Sequence, residues 1–306
     1  MLTRENLKGV FVSAPAVWGA DGKFVEARFR DNIARYVDAG LHGIWIAGSS
    51  GEFQSLSWDE FQQITVAFIE EADEQGLVLI GCSAPDTAEA IRRAKFAQSC
   101  GADGILNALP FFVPLRSDEI YRYFADLAEA CPELGIVHYN TMRSGVYLTA
   151  KDYVRLAELP NFVGTKQVGS DWLHWLELFR LTPQLAHLPV DSLFVPAMMH
   201  GATGVWSAIA MWNPKFMLET YELVQKGDLI AAMENHNKIA AFLAEVAQPL
   251  VAQGFLDPVI DKAICNLTGF TDAGDPRQPF LPMPQQWKDW AREKIEKDHA
   301  WLLNKR

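Results

Sequence analysis

Lys166 closes an otherwise apolar run, Asn161-Phe-Val-Gly-Thr-Lys-Gln-Val-Gly-Ser170. With the two-residue alternation of a strand, Phe162, Gly164 and Lys166 share one face, and Val163 and Thr165 the other. If the β-branched pair faces a helical layer, the amine points to the opposite, enclosed side. Desolvation there disfavours the ammonium form, and a neutral amine is what attack on a carbonyl requires. The same segment also fits a lysine that reaches back to solvent from a strand end. Tyr139 can pass a proton between solvent, a carbonyl oxygen and an amine, as carbinolamine formation and dehydration demand; it can equally be a packing residue. Arg143, in Tyr139-Asn-Thr-Met-Arg-Ser-Gly145, could pair with a carboxylate or lie on a surface loop. Gly48-Ser-Ser-Gly-Glu52 combines turn-forming glycines with the hydroxyls of Ser49 and Ser50, a concavity that suits a carboxylate. Its alternative is an ordinary strand-to-helix turn with a helix cap at Ser57. It is no phosphate loop, because GxxxxGK[ST] and GxGxxG are both absent.

Other chemistries find little support. His42, His138, His174, His187, His200, His236 and His299 show no HxH or HExxH spacing, which gives no basis for a metal site. No G-x-S-x-G elbow appears. Cys82, Cys100, Cys131 and Cys265 lack CxxC spacing and suit a reducing, cytoplasmic compartment, with Cys82 and Cys265 in apolar, core-like stretches.

The elements that must position these residues alternate along the chain. Strand patterns fall at Gly9–Ser13, Gly43–Ala47, Leu77–Cys82, Gly104–Ala108, Gly135–Tyr139, Phe162–Lys166, Leu185–Leu188 and Gly204–Ala208. Helical periodicity fills the gaps, as at Trp58–Glu74, Thr87–Cys100, Ser117–Ala130 and Thr149–Leu159. Eight strands, each followed by a helix, predict an α/β fold, a (β/α)8 TIM barrel. Helices then follow from Pro214 to about Lys226, from a cap at Asp228 to about Gln248, at Asp257–Leu267 and at Pro284–Leu303. The expected organisation is a catalytic barrel over 1–226 and a C-terminal helical extension over 227–306. Trp287, Trp290 and Trp301 are read as packing or subunit-contact residues. In such a barrel the site lies at the C-terminal ends of the strands. That rule selects Ser49, Ser50, Tyr139, Lys166 and, on the eighth strand, Trp206.

The 306 residues carry 49% apolar side chains, enough for a sizeable core, and a net charge of -11. No basic cluster exceeds two residues, which argues against nucleic acid and anionic membranes as partners. No run approaches the roughly 18 apolar residues of a membrane span, and the N-terminus lacks a signal-peptide core.

In their order, Gly48-Ser-Ser-Gly-Glu52 with Leu56-Ser-Trp-Asp-Glu60, Tyr139-Asn140, Gly164-Thr-Lys166, Gly201-Ala-Thr-Gly-Val205 and Asn213-Pro214 resemble the dihydrodipicolinate synthase / N-acetylneuraminate lyase family. The resemblance runs from about Lys8 to about Gln248. It implies a class I aldolase that needs no metal or organic cofactor, because a lysine imine supplies the electrophile. It also implies that Lys166 forms the imine with a 2-oxo acid such as pyruvate and Tyr139 relays protons. Ser49 and Ser50 would hold the carboxylate, Trp206 would line the pocket, and a homodimer or homotetramer is expected. Arg143 takes a carboxylate-binding place in that scheme, in a segment one residue short and without the family's proline. Two alternatives stay open: a dehydratase or deaminase using the same imine, and a barrel that only binds a 2-oxo acid. Where the synthases place a relaying tyrosine pair, this chain has Leu109-Pro-Phe-Phe-Val-Pro114, and Phe111 and Phe112 cannot carry protons. Pro189-Val-Asp-Ser192 departs from the glycine-led acidic pair near the seventh strand. These changes count against lysine biosynthesis, and the second also against sialic acid cleavage. The aromatics Trp18, Phe111, Phe112 and Trp206 suggest a less polar or smaller substrate.

Overall fold

The computed structural model describes residues 1–72 and 75–304. Its strands are β1 (Gly9–Ser13), β2 (Gly43–Ile46), β3 (Leu77–Ile80), β4 (Gly104–Asn107), β5 (Gly135–Asn140), β6 (Phe162–Gln167), β7 (Ala186–Pro189) and β8 (Gly204–Ser207). The first helices are α1 (Glu26–Asp38), α2 (Trp58–Ala72), α3 (Thr87–Cys100), α4 (Ser117–Ala130), α5 (Ala150–Leu156), α6 (Trp172–Leu181) and α7 (Phe194–Met198). After β8 come α8 (Ile209–Trp212), α9 (Pro214–Gln225), α10 (Leu229–Phe242), α11 (Gln248–Ala252), α12 (Val259–Thr268) and α13 (Gln285–Asp298). The strands form one sheet in the order β7-β6-β5-β4-β3-β2-β1-β8. A parallel bridge between Val190, just past β7, and Trp206 of β8 links the two ends of that order. This is the (β/α)8 TIM barrel, with the expected C-terminal helices following it.

The expected strands all form, the first with the expected bounds and the others with ends shifted by at most two residues. The seventh spans Ala186–Pro189 rather than Leu185–Leu188, because Leu185 is held by a turn bond to Thr182 and Pro189 takes the last ladder position. The helix expected from Asp228 to Gln248 begins on that cap, whose carboxylate accepts from Ala231 N–H. It is then interrupted by a π-helical turn at Leu243–Ala247. The helix expected over Asp257–Leu267 starts two residues later, after Pro258. Of the expected Trp58–Glu74 helix, the last two positions lie outside the described residues. Its start is fixed by a reciprocal capping box: Ser57 N–H donates to Glu60, and Glu60 N–H to Ser57 Oγ.

The chain divides into two compact units. One comprises Met1–Gly9 and Leu77–Trp206. Its N-terminal segment packs on β4, β5 and β6. Leu2 and Leu7 are fully buried there. Leu2 lies where side chains on Gly104 and Gly135 would be, and Leu7 where one on Gly164 would be. Glycine at these positions makes room for the segment. The other unit comprises Val10–Gly76 and Ser207–Arg306. It pairs β1 with β2 in parallel, Val12 opposite Ile44, and carries the C-terminal helices. Among these helices Trp301 packs on Phe216 and Phe242, and Trp287 on Trp290 and Phe255, in keeping with a packing role. Cys82 and Cys265 are buried, as their apolar surroundings suggested. Among the described residues no helix is long and apolar enough to cross a membrane.

Candidate active site

In the first unit, β5 and β6 pair in parallel, with Tyr139 opposite Lys166 and Asn140 opposite Gln167. The side chain of Thr165 identifies the faces. Its Oγ1 bonds Nδ1 of His187 at 2.8 Å, and His187 Nε2 bonds Thr182, the C-cap of α6, at 2.9 Å. Thr165 therefore faces the helical layer, and by alternation Lys166 faces the other side. Lys166 is only 8% exposed. Its Nζ lies 4.4 Å from the centroid of the Tyr139 ring and 5.9 Å from that of Trp206. Three of the residues singled out in the sequence are thus brought together: a buried amine, a phenol and an indole that is 2% exposed.

A buried amide network on the helical side fixes these strand ends. Asn140 Nδ2 donates to Gln167 Oε1 and to the Leu148 carbonyl, and Asn140 Oδ1 accepts from Leu148 N–H, each at 2.9 Å. Gln167 Oε1 also accepts from the Tyr147 hydroxyl at 3.1 Å, and Gln167 Nε2 donates to Tyr153 Oη. The segment between β5 and α5 is thereby closed on itself and tied to β6. Arg143 lies in this segment, in a short 3-10 turn with its N–H on Thr141 Oγ1, and is solvent-exposed. Phe112 is 92% exposed.

In the second unit the Gly48–Glu52 loop follows β2. A side chain on Gly48 would strike the Trp45 ring, and one on Gly51 would come within 2.9 Å of Ala47 N. The turn is therefore tight because both positions are glycine. Glu52 adopts a left-handed conformation, φ 55°, which costs a non-glycine residue about 1–2 kcal/mol. Its side chain accounts for the choice. Glu52 is fully buried, Oε1 accepts from Trp18 Nε1 at 2.8 Å, Oε2 accepts from Arg277 N–H at 2.8 Å, and Lys262 Nζ forms an ion pair with Oε1. Burial pulls the Lys262 ammonium below its ordinary pKa, against the opposing pull of Glu52. Ser50 is buried and donates to Asp261 Oδ2 at 2.6 Å, whereas Ser49 is half-buried.

Asp261, Lys262 and Arg277 escaped notice in the sequence, since they lie more than 200 positions from the loop they hold. One signal was present: Val-Ile-Asp-Lys-Ala-Ile-Cys, in α12, sets two charges in an apolar helix. Charges so placed are paired when buried. Trp18, grouped with the aromatics in the sequence, gives its indole N–H to Glu52. Among the described residues no cluster of His, Cys, Asp or Glu could hold a metal ion.

The chain matches the dihydrodipicolinate synthetase family over residues 6–298. It is 30% identical over 274 residues to the 4-hydroxy-tetrahydrodipicolinate synthase of Methanospirillum hungatei, covering 88% of this chain and 90% of the relative. An uncharacterized DapA-like lyase of Halobacterium salinarum is 30% identical over 301 residues, 97% of this chain and 94% of its own. Among solved structures, the chloride-inhibited dihydrodipicolinate synthase of Acinetobacter baumannii complexed with pyruvate superposes with a TM-score of 0.86 at 28% identity, covering 96% of this chain and 99% of that one. A prophage protein of Escherichia coli K12, also in complex with pyruvate, shares the fold at a TM-score of 0.87 and 23% identity, over 95% of this chain and 98% of its own. This chain belongs to the dihydrodipicolinate synthetase family and is a carbon–carbon lyase of the class I aldolase type.

Proposed function

We propose that this enzyme forms or cleaves a carbon–carbon bond next to pyruvate or a related 2-oxo acid through an imine on Lys166. The observation that carries this proposal is the buried amine of Lys166 beside the Tyr139 ring at the C-terminal end of β6. The amine adds to the ketone carbon, and the carbinolamine loses water to give a protonated imine. That cation takes up the electron pair released when the neighbouring carbon loses a proton or a carbon substituent. The Tyr139 hydroxyl moves protons onto and off the carbinolamine oxygen. Trp206 shields the amine and limits the space beside it. Ser49 and Ser50 grip the substrate carboxylate with the N–H groups of their loop. Ser50 must first turn its proton away from Asp261, so Ser49 carries the larger part. Arg143 adds a positive charge for the substrate carboxylate, a role supported by the resemblance alone. With neither Phe111 nor Phe112 able to relay protons, the partner aldehyde is one whose condensation needs only the Tyr139 relay. The resemblance also supports a cytoplasmic homodimer or homotetramer.

The test is borohydride trapping. Protein incubated with pyruvate and a panel of 2-oxo acids is reduced and examined by intact mass and peptide mapping. An adduct on Lys166 is expected, and the acid that labels fastest identifies the substrate class. No adduct from a folded protein with any acid would overturn the proposal.

A further inference from the structure

We propose a second ligand site on this enzyme, a cavity between the β1–α1 segment and the segment that follows α12, built for a small organic carboxylate with an apolar body. The cavity measures about 690 Å³, within the range of small-molecule sites. Its wall includes Trp18, Arg28, Arg277 and Phe280, with Asp21 and Asp275 also lining it.

The charges there are not equivalent. Asp21 and Asp275 are both mostly exposed, and each has a lysine partner, Lys23 at 3.8 Å and Lys288 at 3.4 Å. The two guanidiniums are less satisfied. Arg28 makes one long, exposed contact, Nε to Asp272 at 3.4 Å, and donates no hydrogen bond among the described residues. Arg277 gives Nη1 to Glu60 at 2.8 Å, while its Nε and Nη2 protons find no acceptor among the described residues. Stacking fixes the orientation of that open fork, since the guanidinium carbon lies 4.7 Å from the Trp18 ring centroid. A planar, preorganised fork matches a carboxylate, and Phe280 and the exposed Leu281 of the same wall accept an apolar body, while Trp18, only 4% exposed, supports the Arg277 guanidinium.

The same two residues reach the Gly48–Glu52 loop, through Trp18 Nε1–H and Arg277 N–H on the Glu52 carboxylate. The cavity wall and the loop are thus one hydrogen-bonded unit. The site itself is independent of the imine chemistry.

The experiment first blocks the catalytic lysine, by pyruvate and borohydride, with intact mass confirming one adduct per chain. Benzoate is then titrated calorimetrically, with benzamide as the neutral control of the same shape. The expected result is one benzoate per chain, no comparable benzamide binding, and affinity weakened about tenfold or more in Arg28→Gln. Arg28 is partly exposed and in only an exposed ion pair, so this variant keeps its fold. Arg277→Lys, which retains the charge but not the fork, should also weaken binding. No binding at millimolar benzoate, equal binding of benzamide, or unchanged affinity in Arg28→Gln would each overturn the site. If no pyruvate adduct forms, the imine proposal fails on its own. The cavity is then read by comparing Lys166→Ala with Lys166→Ala/Arg28→Gln in the same titration.

Discussion

At the scale of single residues, the proposed chemistry rests on an amine and a phenol that strand pairing sets side by side. Lys166→Ala should give no borohydride adduct and background turnover, with an unchanged circular dichroism spectrum; activity near that of the parent would remove the imine from the mechanism. Tyr139→Phe preserves the ring beside Lys166 and deletes only the proton carrier. Imine formation should then slow by about 10²–10⁴-fold, the usual worth of a positioned acid–base group. Single-turnover trapping measures that rate, and no change would assign the relay elsewhere. Both residues stood out in the sequence as local features, a lysine ending an apolar strand and a tyrosine at a strand end, but their roles came from the resemblance alone. The Glu52 cluster did not stand out. Its partners come from three distant segments, and no periodicity encodes who pairs with whom. Removing one partner should show what the cluster is worth. Lys262→Met leaves a buried carboxylate with only two donors, and a loss of about 3–5 kcal/mol is expected in denaturant unfolding. A loss under 1 kcal/mol would mean that Trp18 and Arg277 suffice.

At the scale of elements, hydrophobic alternation and helix caps located the strands and most helices, because both are recorded in short windows of sequence. What windows do not record is a segment that crosses to another element. The N-terminal residues before β1 were given no structural role in the sequence, yet Leu2 fills the starts of β4 and β5 and Leu7 packs at Gly164 within β6. The glycines at those starts were visible, but glycine at a strand start is also common without any such guest. The π-helical turn at Leu243–Ala247 was likewise hidden, since its register differs from an α-helix by one residue. The packing of Leu7 against Gly164 makes a direct test, two residues from Lys166. Leu7→Ala should cost about 2–5 kcal/mol through the space it vacates. Gly164→Ala should cost about 1–3 kcal/mol, because its methyl would meet Leu7 and the Ala186 carbonyl. The second substitution should also slow pyruvate trapping, as it strains the strand that carries the amine. Equilibrium unfolding and trapping rates check both, and a neutral Gly164→Ala would show that β6 has room to spare.

At the scale of the whole molecule, an acidic chain with a net charge of -11 would be expected to tolerate mild acid well, since protonation reduces its self-repulsion. Two buried histidines predict the opposite. Burial pulls both His138 and His187 down to about 3, and both are neutral at pH 7. His187 shows why. Thr182 gives its proton to the Leu178 carbonyl, so His187 Nε2 must donate to Thr182, and Nδ1 must accept from Thr165. Charging the ring would break the Thr165 bond with nothing to replace it. His138 is held at one nitrogen: Tyr153 receives a proton from Gln167 and gives its own to Nδ1, while Nε2 is buried with no partner among the described residues. In the unfolded chain both rings titrate near 6.5. Below that pH the unfolded state binds protons that the folded state refuses, so stability falls with pH until about 3. By pH 5 the loss is about 2 kcal/mol for each histidine. The measurement is unfolding free energy at pH 7 and pH 5 in the parent, His138→Gln and His187→Gln. Each glutamine variant should narrow the difference between the two pH values by about 2 kcal/mol, whatever its own absolute stability. The carboxylates contribute equally to all three proteins and cancel. A difference that does not narrow would mean that the rings take up protons within the fold, and that the threonine and tyrosine bonds do not hold them neutral.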